Sequence, residues 1–171
     1  IQVTFNISHA IDQDLDIFLV DPSGTRAMLL TSDNGGNGDH YTSTVLRTDA
    51  STNVTSGSAP FTGTYAPEGS ITTAPDRTGA TGGGNYNSVV PGNSLNGASI
   101  DGSWSLRVFD DASGTTGTLT SWSLDIIIPS NYTTTVTGPA TIGSVSYSGT
   151  ANTTATATVT PPVGSNTYTI T

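Results

Sequence analysis

Apolar residues recur at every second position in four separate stretches of this chain: Val3, Phe5 and Ile7; Leu15, Ile17 and Leu19; Trp104, Leu106 and Val108; Trp122, Leu124, Ile126 and Ile128. A period of two puts alternate side chains on opposite faces of an extended backbone, so each stretch reads as a strand with one buried face. A helical reading has little to stand on. Lysine is absent, glutamate occurs only at Glu68 and methionine only at Met28, while threonine, serine, valine and isoleucine fill the sequence. Those residues favour strands and turns. The first strand spans Ile1–Ser8, and Pro22-Ser23-Gly24 turns the second into a return at Ala27–Thr31. A weaker strand follows at Tyr41–Leu46, and Asp49 to Gly97 reads as loop-rich, with a flexible patch at Gly79–Gly84. Strands at this spacing argue for an all-β sandwich rather than a parallel α/β sheet. With 33% hydrophobic residues the chain can bury one modest core.

Charge divides the sequence. All 13 acidic and four basic residues lie between Asp12 and Asp125, and Ile126 to Thr171 carries none. With Pro129 and Ser130-Asn131 marking the join, a first unit is expected at 1–129. Residues 130–171 are expected to form a linker and the beginning of a second β-rich, Ig-like repeat. Thr133–Thr137, Thr153–Thr160 and Thr167–Thr171 supply its strands, and Pro161-Pro162 interrupts it. The net charge is −9, and Arg26, Arg47, Arg77 and Arg107 form no basic stripe. That argues against nucleic-acid binding and against attraction to an anionic membrane. No apolar run is long enough to span a bilayer. Cysteine is absent, so disulfides are excluded and only His9 and His40 remain as soft ligands for zinc. A chain that opens inside an alternating strand is expected to be a piece of a larger exported protein.

Three segments together carry a resemblance. The first is Ile7-Ser8-His9 followed by Asp14-Leu15-Asp16-Ile17-Phe18-Leu19-Val20-Asp21-Pro22-Ser23-Gly24-Thr25, with Leu29-Leu30 on the return strand. The second is Ala59-Pro60-Phe61-Thr62-Gly63-Thr64-Tyr65-Ala66-Pro67-Glu68. The third runs from Gly102-Ser103-Trp104 to Asp110-Asp111 and on through Gly117-Thr118-Leu119 to Trp122-Ser123-Leu124. In order and spacing these are similar to the P domain of subtilisin-like proprotein convertases, in its bacterial form. The resemblance implies a jelly-roll β-sandwich followed here by a short Thr-rich β segment. It also implies a non-catalytic accessory or stabilising module of a secreted or cell-surface protein, beside a catalytic or surface domain of the same polypeptide. The parent would then be of subtilisin-like serine endopeptidase type, and the module itself a monomer. The chain departs from the pattern in lacking the strand before Ile1 and in a long, Gly-rich stretch at Asp76–Gly92. Trp104 and Trp122 are expected to fill the space between the sheets with Leu19, Leu106 and Leu124.

The candidate chemistry is that of hard oxygen ligands. Asp12, Asp14 and Asp16 recur at every second residue, which would aim their carboxylates to one side of an extended strand. Asp33-Asn34-Gly35-Gly36-Asn37-Gly38-Asp39 is an oxygen-rich loop that glycine leaves free to fold around an ion. Such donors suit structural Ca²⁺. The resemblance adds Asp49 and makes Asp14 the foremost ligand, so the expected metal set is Asp12, Asp14, Asp16, Asp33, Asp39 and Asp49. The competing reading is solvated surface or turn-capping aspartate. An EF-hand is excluded, since Ile17 stands where a loop starting at Asp12 needs glycine, and Thr44 where one starting at Asp33 needs glutamate. Asp110-Asp111 reads as the Asx-turn of a hairpin, with a second calcium site as its alternative. His9 reads as a structural residue at a strand end and His40 as an exposed loop residue. No Gly-x-Ser-x-Gly or His-Glu-x-x-His motif is present. Gly82-Gly83-Gly84 precedes no helix and so cradles no phosphate. The sequons at Asn6, Asn53, Asn131 and Asn152 are read as coincidental. The rival function is a carbohydrate-binding or adhesive module, which would need Tyr41, Tyr65, Tyr86 or Tyr132 exposed for sugar stacking.

Overall fold

In a computed structural model, residues 1–77 and 86–126 are described together with the backbone of strands at 136–137, 141–148, 154–160 and 169–170. The patch at Gly79–Gly84, the join at Pro129 to Asn131, Tyr132, Asn152 and Pro161-Pro162 lie outside the described residues. The chain divides into two compact units, Ile1–Ile126 and Ile127–Thr171.

The first unit is a β-sandwich. Strand β1 (Gln2–Ser8) lies between β4 (Tyr41–Arg47) and β7 (Thr118–Asp125) in a four-stranded sheet, and short β5 (Thr64–Tyr65) joins β4 in parallel. The second sheet has three strands, with β2 (Leu15–Val20) between β3 (Ala27–Ser32) and β6 (Ser105–Asp110). Alternation decides the inward faces. Val3, Phe5 and Ile7 of β1 meet Leu15, Ile17 and Leu19 of β2, together with Met28, Leu30, Tyr41, Leu46 and Phe61. Phe61 stacks on Tyr41 with ring centroids 4.8 Å apart.

Strand β2 is buried on both faces. Its second face carries Asp16, Phe18 and Val20, and the chain that returns after residue 85 covers it with Tyr86 and Val90. Phe18, Tyr86 and Phe109 form a ring triangle with centroids 4.7–6.0 Å apart. This excursion is why Asp16, on the face away from the main core, is only 1% exposed.

The two tryptophans depart from expectation. Leu19 is fully enclosed, but Trp104, Trp122, Leu106 and Leu124 are only partly buried against the core. Strands β6 and β7 are the end strands of their sheets, so each has a neighbour on one side alone. An indole there packs inward and leaves its other flank to solvent. The Trp104 indole Nε1 donates to the Ile100 carbonyl at 3.3 Å.

Gly117 closes the turn into β7. A Cβ there would lie 2.7 Å from the Ser8 carbonyl oxygen and 2.5 Å from His9 Cδ2. The requirement is close approach, with the obstacle partly backbone that has nowhere to move.

In the second unit, β9 (Thr141–Ser148) pairs antiparallel with β10 (Thr154–Thr160), and β8 (Val136–Thr137) pairs with β11 (Thr169–Ile170).

Enclosure therefore sets the cost of truncation. Phe5→Ala is expected to destabilise the protein by about 3–5 kcal/mol, as for a fully buried aromatic. Trp122→Ala, opposite Phe5 in register but open on one flank, should cost clearly less. Urea denaturation of both variants measures the order, and a larger loss for Trp122→Ala would contradict this account of the end strands.

Candidate metal centre

Three neighbouring strands deliver three carboxylates to one end of the second sheet. Asp16 is on central β2, opposite Ser32 of β3 and Phe109 of β6. Asp33 follows Ser32 directly, and Asp111 follows Asp110, the last residue of β6. One carboxylate oxygen from each of Asp16, Asp33 and Asp111 lies within 4.8 Å of the other two. Asp33 adopts φ +54°, in the left-handed region that aspartate tolerates better than most side chains.

Asp16 is the buried member. Its Oδ2 accepts a hydrogen bond from the Tyr86 hydroxyl, while Oδ1 is sealed from solvent and accepts none. A buried carboxylate oxygen without a partner carries its full desolvation penalty. Burial accordingly pushes the Asp16 carboxyl up to about 6, and the nearby charges of Asp33 and Asp111 push in the same direction. The electronegative end extends further. Asp33, Glu68 and Asp76 line a cavity of about 480 Å³ with no arginine in its wall. Glu68 is partly spent on structure, accepting from the Ser32 N–H at 2.6 Å and from the Asn34 amide. Burial raises its carboxyl as well.

The other expected ligands go elsewhere. Residues Asp12–Asp14 form a 3-10 turn instead of an extended strand, so the spacing of Asp12, Asp14 and Asp16 does not align their carboxylates. Asp12 is fully buried, with Oδ1 accepting the His40 N–H at 2.9 Å and Oδ2 accepting nothing. Burial raises its carboxyl to about 6. Gly35, at φ +93°, packs so close that a Cβ would sit 2.9 Å from Asp12 Cβ and 2.8 Å from the Phe61 ring. Asp14 accepts from the Thr115 hydroxyl at 3.1 Å. Asp39 is exposed. Asp49 is exposed and forms a two-contact ion pair with Arg47, at 2.9 and 2.7 Å. Of the six, Asp16 and Asp33 come together. Asp111 joins them, and the sequence signal for it was its position one residue beyond an alternating strand.

His9 is 2% exposed. Its Nδ1 lies 2.8 Å from the Ile11 carbonyl oxygen and its Nε2 lies 3.2 Å from Asp110, tying the end of β1 to the end of β6. Tyr41 and Tyr86 are each 1% exposed, so neither offers a ring face to a sugar, and Tyr65 packs edge-on against Phe61. No helix among the described residues is long and apolar enough to cross a membrane.

The raised carboxyls of Asp12, Asp16 and Glu68 set a pH dependence for the metal-free protein. A carboxyl raised from 3.8 to about 6 binds its proton more tightly in the folded state, so folding is penalised once that proton leaves. Stability should therefore rise as pH falls from 7 through about 6 towards 4. Asp21 works in the opposite sense below that window: hydrogen bonds from Ser23, Thr25 and Arg26 outweigh its burial and hold its carboxyl low, so that contribution is lost on further acidification. In EGTA-treated protein, thermal melts should show a higher melting temperature near pH 5 than at pH 7. Asp16→Asn should shrink the difference and leave the shares of Asp12 and Glu68, and a flat profile for the parent chain would contradict the assignment.

No curated protein and no solved structure matches this chain. The proprotein convertase P-domain family does, over residues 1–61 and 62–126. That span covers the whole sandwich, from β1 to the end of β7, and includes the three-stranded end where Asp16, Asp33 and Asp111 meet. The chain belongs to the proprotein convertase P-domain family, whose domains are accessory to subtilisin-like proteases and not themselves catalytic.

Proposed function

We propose that this P domain is an extracellular accessory module, part of a larger secreted or cell-surface protein, and that Ca²⁺ bound by Asp16, Asp33 and Asp111 stabilises it. The carrying observation is the Asp16 carboxylate: its Oδ1 is buried and accepts no hydrogen bond, and one of its oxygens lies within 4.8 Å of carboxylate oxygens from Asp33 and Asp111. Calcium holds its oxygens at 2.3–2.6 Å, so two ligands on opposite sides of one ion stand about 4.6–5.2 Å apart. The donor set is hard and anionic, as Ca²⁺ prefers, and the ion would complete its six to eight ligands with further oxygens, water included. An ion there would remove the repulsion among the three carboxylates and the desolvation penalty of Asp16 together.

The stabilising role follows from what the centre joins. It would tie β2, β3 and β6, and through the Tyr86 hydroxyl the segment that covers the second face of β2. A neighbouring catalytic or surface domain of the same polypeptide would then receive a stiffened module. Residues 130–171 serve in this reading as the linker and the opening of a further β-rich repeat.

Differential scanning calorimetry tests the proposal. Ca²⁺ at 100 times its dissociation constant should add about 2.7 kcal/mol, and EGTA should remove it. Mg²⁺ should replace it poorly, because its small octahedral shell dehydrates reluctantly. Asp16→Asn and Asp111→Asn should abolish the response, whereas Asp39→Asn and Asp49→Asn should keep it. Coincident melts with and without Ca²⁺ would overturn the calcium assignment.

A further inference from the structure

Strand β6 ends its sheet, and its hydrogen-bond parity shows what that end offers. The Asp111 N–H donates to the Asp14 carbonyl at 2.9 Å, and the β2–β6 ladder continues from there without a bulge. In an antiparallel ladder the residues that exchange bonds alternate with those that do not. Phe109, Arg107 and Ser105 therefore bond inward to Asp16, Phe18 and Val20. The N–H and C=O groups of Leu106 and Val108 point away from β2, towards the side where no strand is paired among the described residues.

A groove of about 910 Å³ is lined by Leu106 to Phe109 of this strand together with Ser88 to Gly92, Arg77 and Gly24. The side chains of Leu106 and Val108 pack on the main core, so their contribution to the groove is backbone. Val89, 45% exposed, adds apolar surface to the lining. Two of the four arginines line the groove, and no carboxylate does. Arg77 is braced against its wall, donating from Nη1 to the Val90 carbonyl at 3.2 Å, with Gly92 packed onto its guanidinium. Arg107 projects from the outer face of β6, between the inward-facing Leu106 and Val108. In a chain of net charge −9, a groove with only positive side chains stands out against its surroundings.

We propose that this groove docks an extended acidic peptide segment of a partner protein, which adds to β6 as the fourth strand of the sheet. Backbone groups of Leu106 and Val108 supply the ladder, the pairing mode of strand addition. Arg107 and Arg77 select carboxylates on the outer face, and the residues that alternate with them turn to the inner face beside Leu106 and Val108, where apolar side chains are favoured. The groove rests on geometry apart from the metal centre, so it stands or falls separately from calcium.

The test is fluorescence anisotropy of a short labelled peptide of alternating glutamate and valine, titrated with the full chain in Ca²⁺ buffer. Saturable binding is expected, weakened by salt. Arg107→Glu should weaken it at least about tenfold, as expected for reversal of one contacting charge, and should confer binding of the matching lysine–valine peptide. A backbone N-methylated copy of the glutamate peptide should not bind, because its ladder donors are gone. Circular dichroism and an unchanged melting temperature would confirm that Arg107→Glu is folded. Failure of the glutamate–valine peptide to bind, equal binding to Arg107→Glu, or equal binding of the N-methylated copy would each overturn the proposal.

Discussion

Everything in the first unit is arranged around a strand that water does not reach. All six residues of β2 are buried. A strand in a two-sheet sandwich ordinarily has one dry face and one wet one. Here the chain between β5 and β6 returns over the wet side and dries it. That single choice accounts for two otherwise unrelated features. It creates the aromatic triangle of Phe18, Tyr86 and Phe109, and it strands a carboxylate at Asp16 where a carboxylate is costly. Tyr86 offsets part of that cost with one hydrogen bond. The remaining oxygen is left without a donor.

How much of this could be read from residues alone differs from face to face. The inner faces of β1 and β2 were legible because alternation is a local signal, set by the pleat. So was the turn at Pro22 to Gly24, where Gly24 takes φ +67°. The acidic spacing at Asp12, Asp14 and Asp16 misled because its reading assumed an extended backbone. A 3-10 turn over the first three residues, with Asp12 held by the His40 amide, rotates the carboxylates apart. Asp111 and Tyr86 were illegible as partners of Asp16 because nothing local links them. Their association depends on sheet order and on how a loop-rich stretch returns, which no periodicity records. The tryptophans erred in degree. Their alternation was right, but it does not say whether a strand is central or last in its sheet.

Charge is distributed with the same economy. The carboxylates concentrate at the end of the second sheet, around Asp16, Asp33 and Asp111, and around the cavity of Asp33, Glu68 and Asp76. Two of the four arginines lie along β6 instead, and Arg47 neutralises Asp49 on the first sheet. Outside that pair, the acidic end and the groove along β6 each carry one sign, which gives each its own preference for counter-charge.

The register of β1 has a consequence for how the protein is made. Gln2 pairs with Asp125 and Ser8 with Thr118, so the first strand waits for the last to complete its sheet. His9 likewise waits for Asp110, and Asp14 for Thr115, each across 101 residues. A ribosome delivering the chain from its amino end therefore releases β1 and β2 long before β7 and β6, their second partners, exist. Such long-range pairing folds slowly and only once the whole unit has emerged. Until then β1 and β2 each keep one edge unpaired.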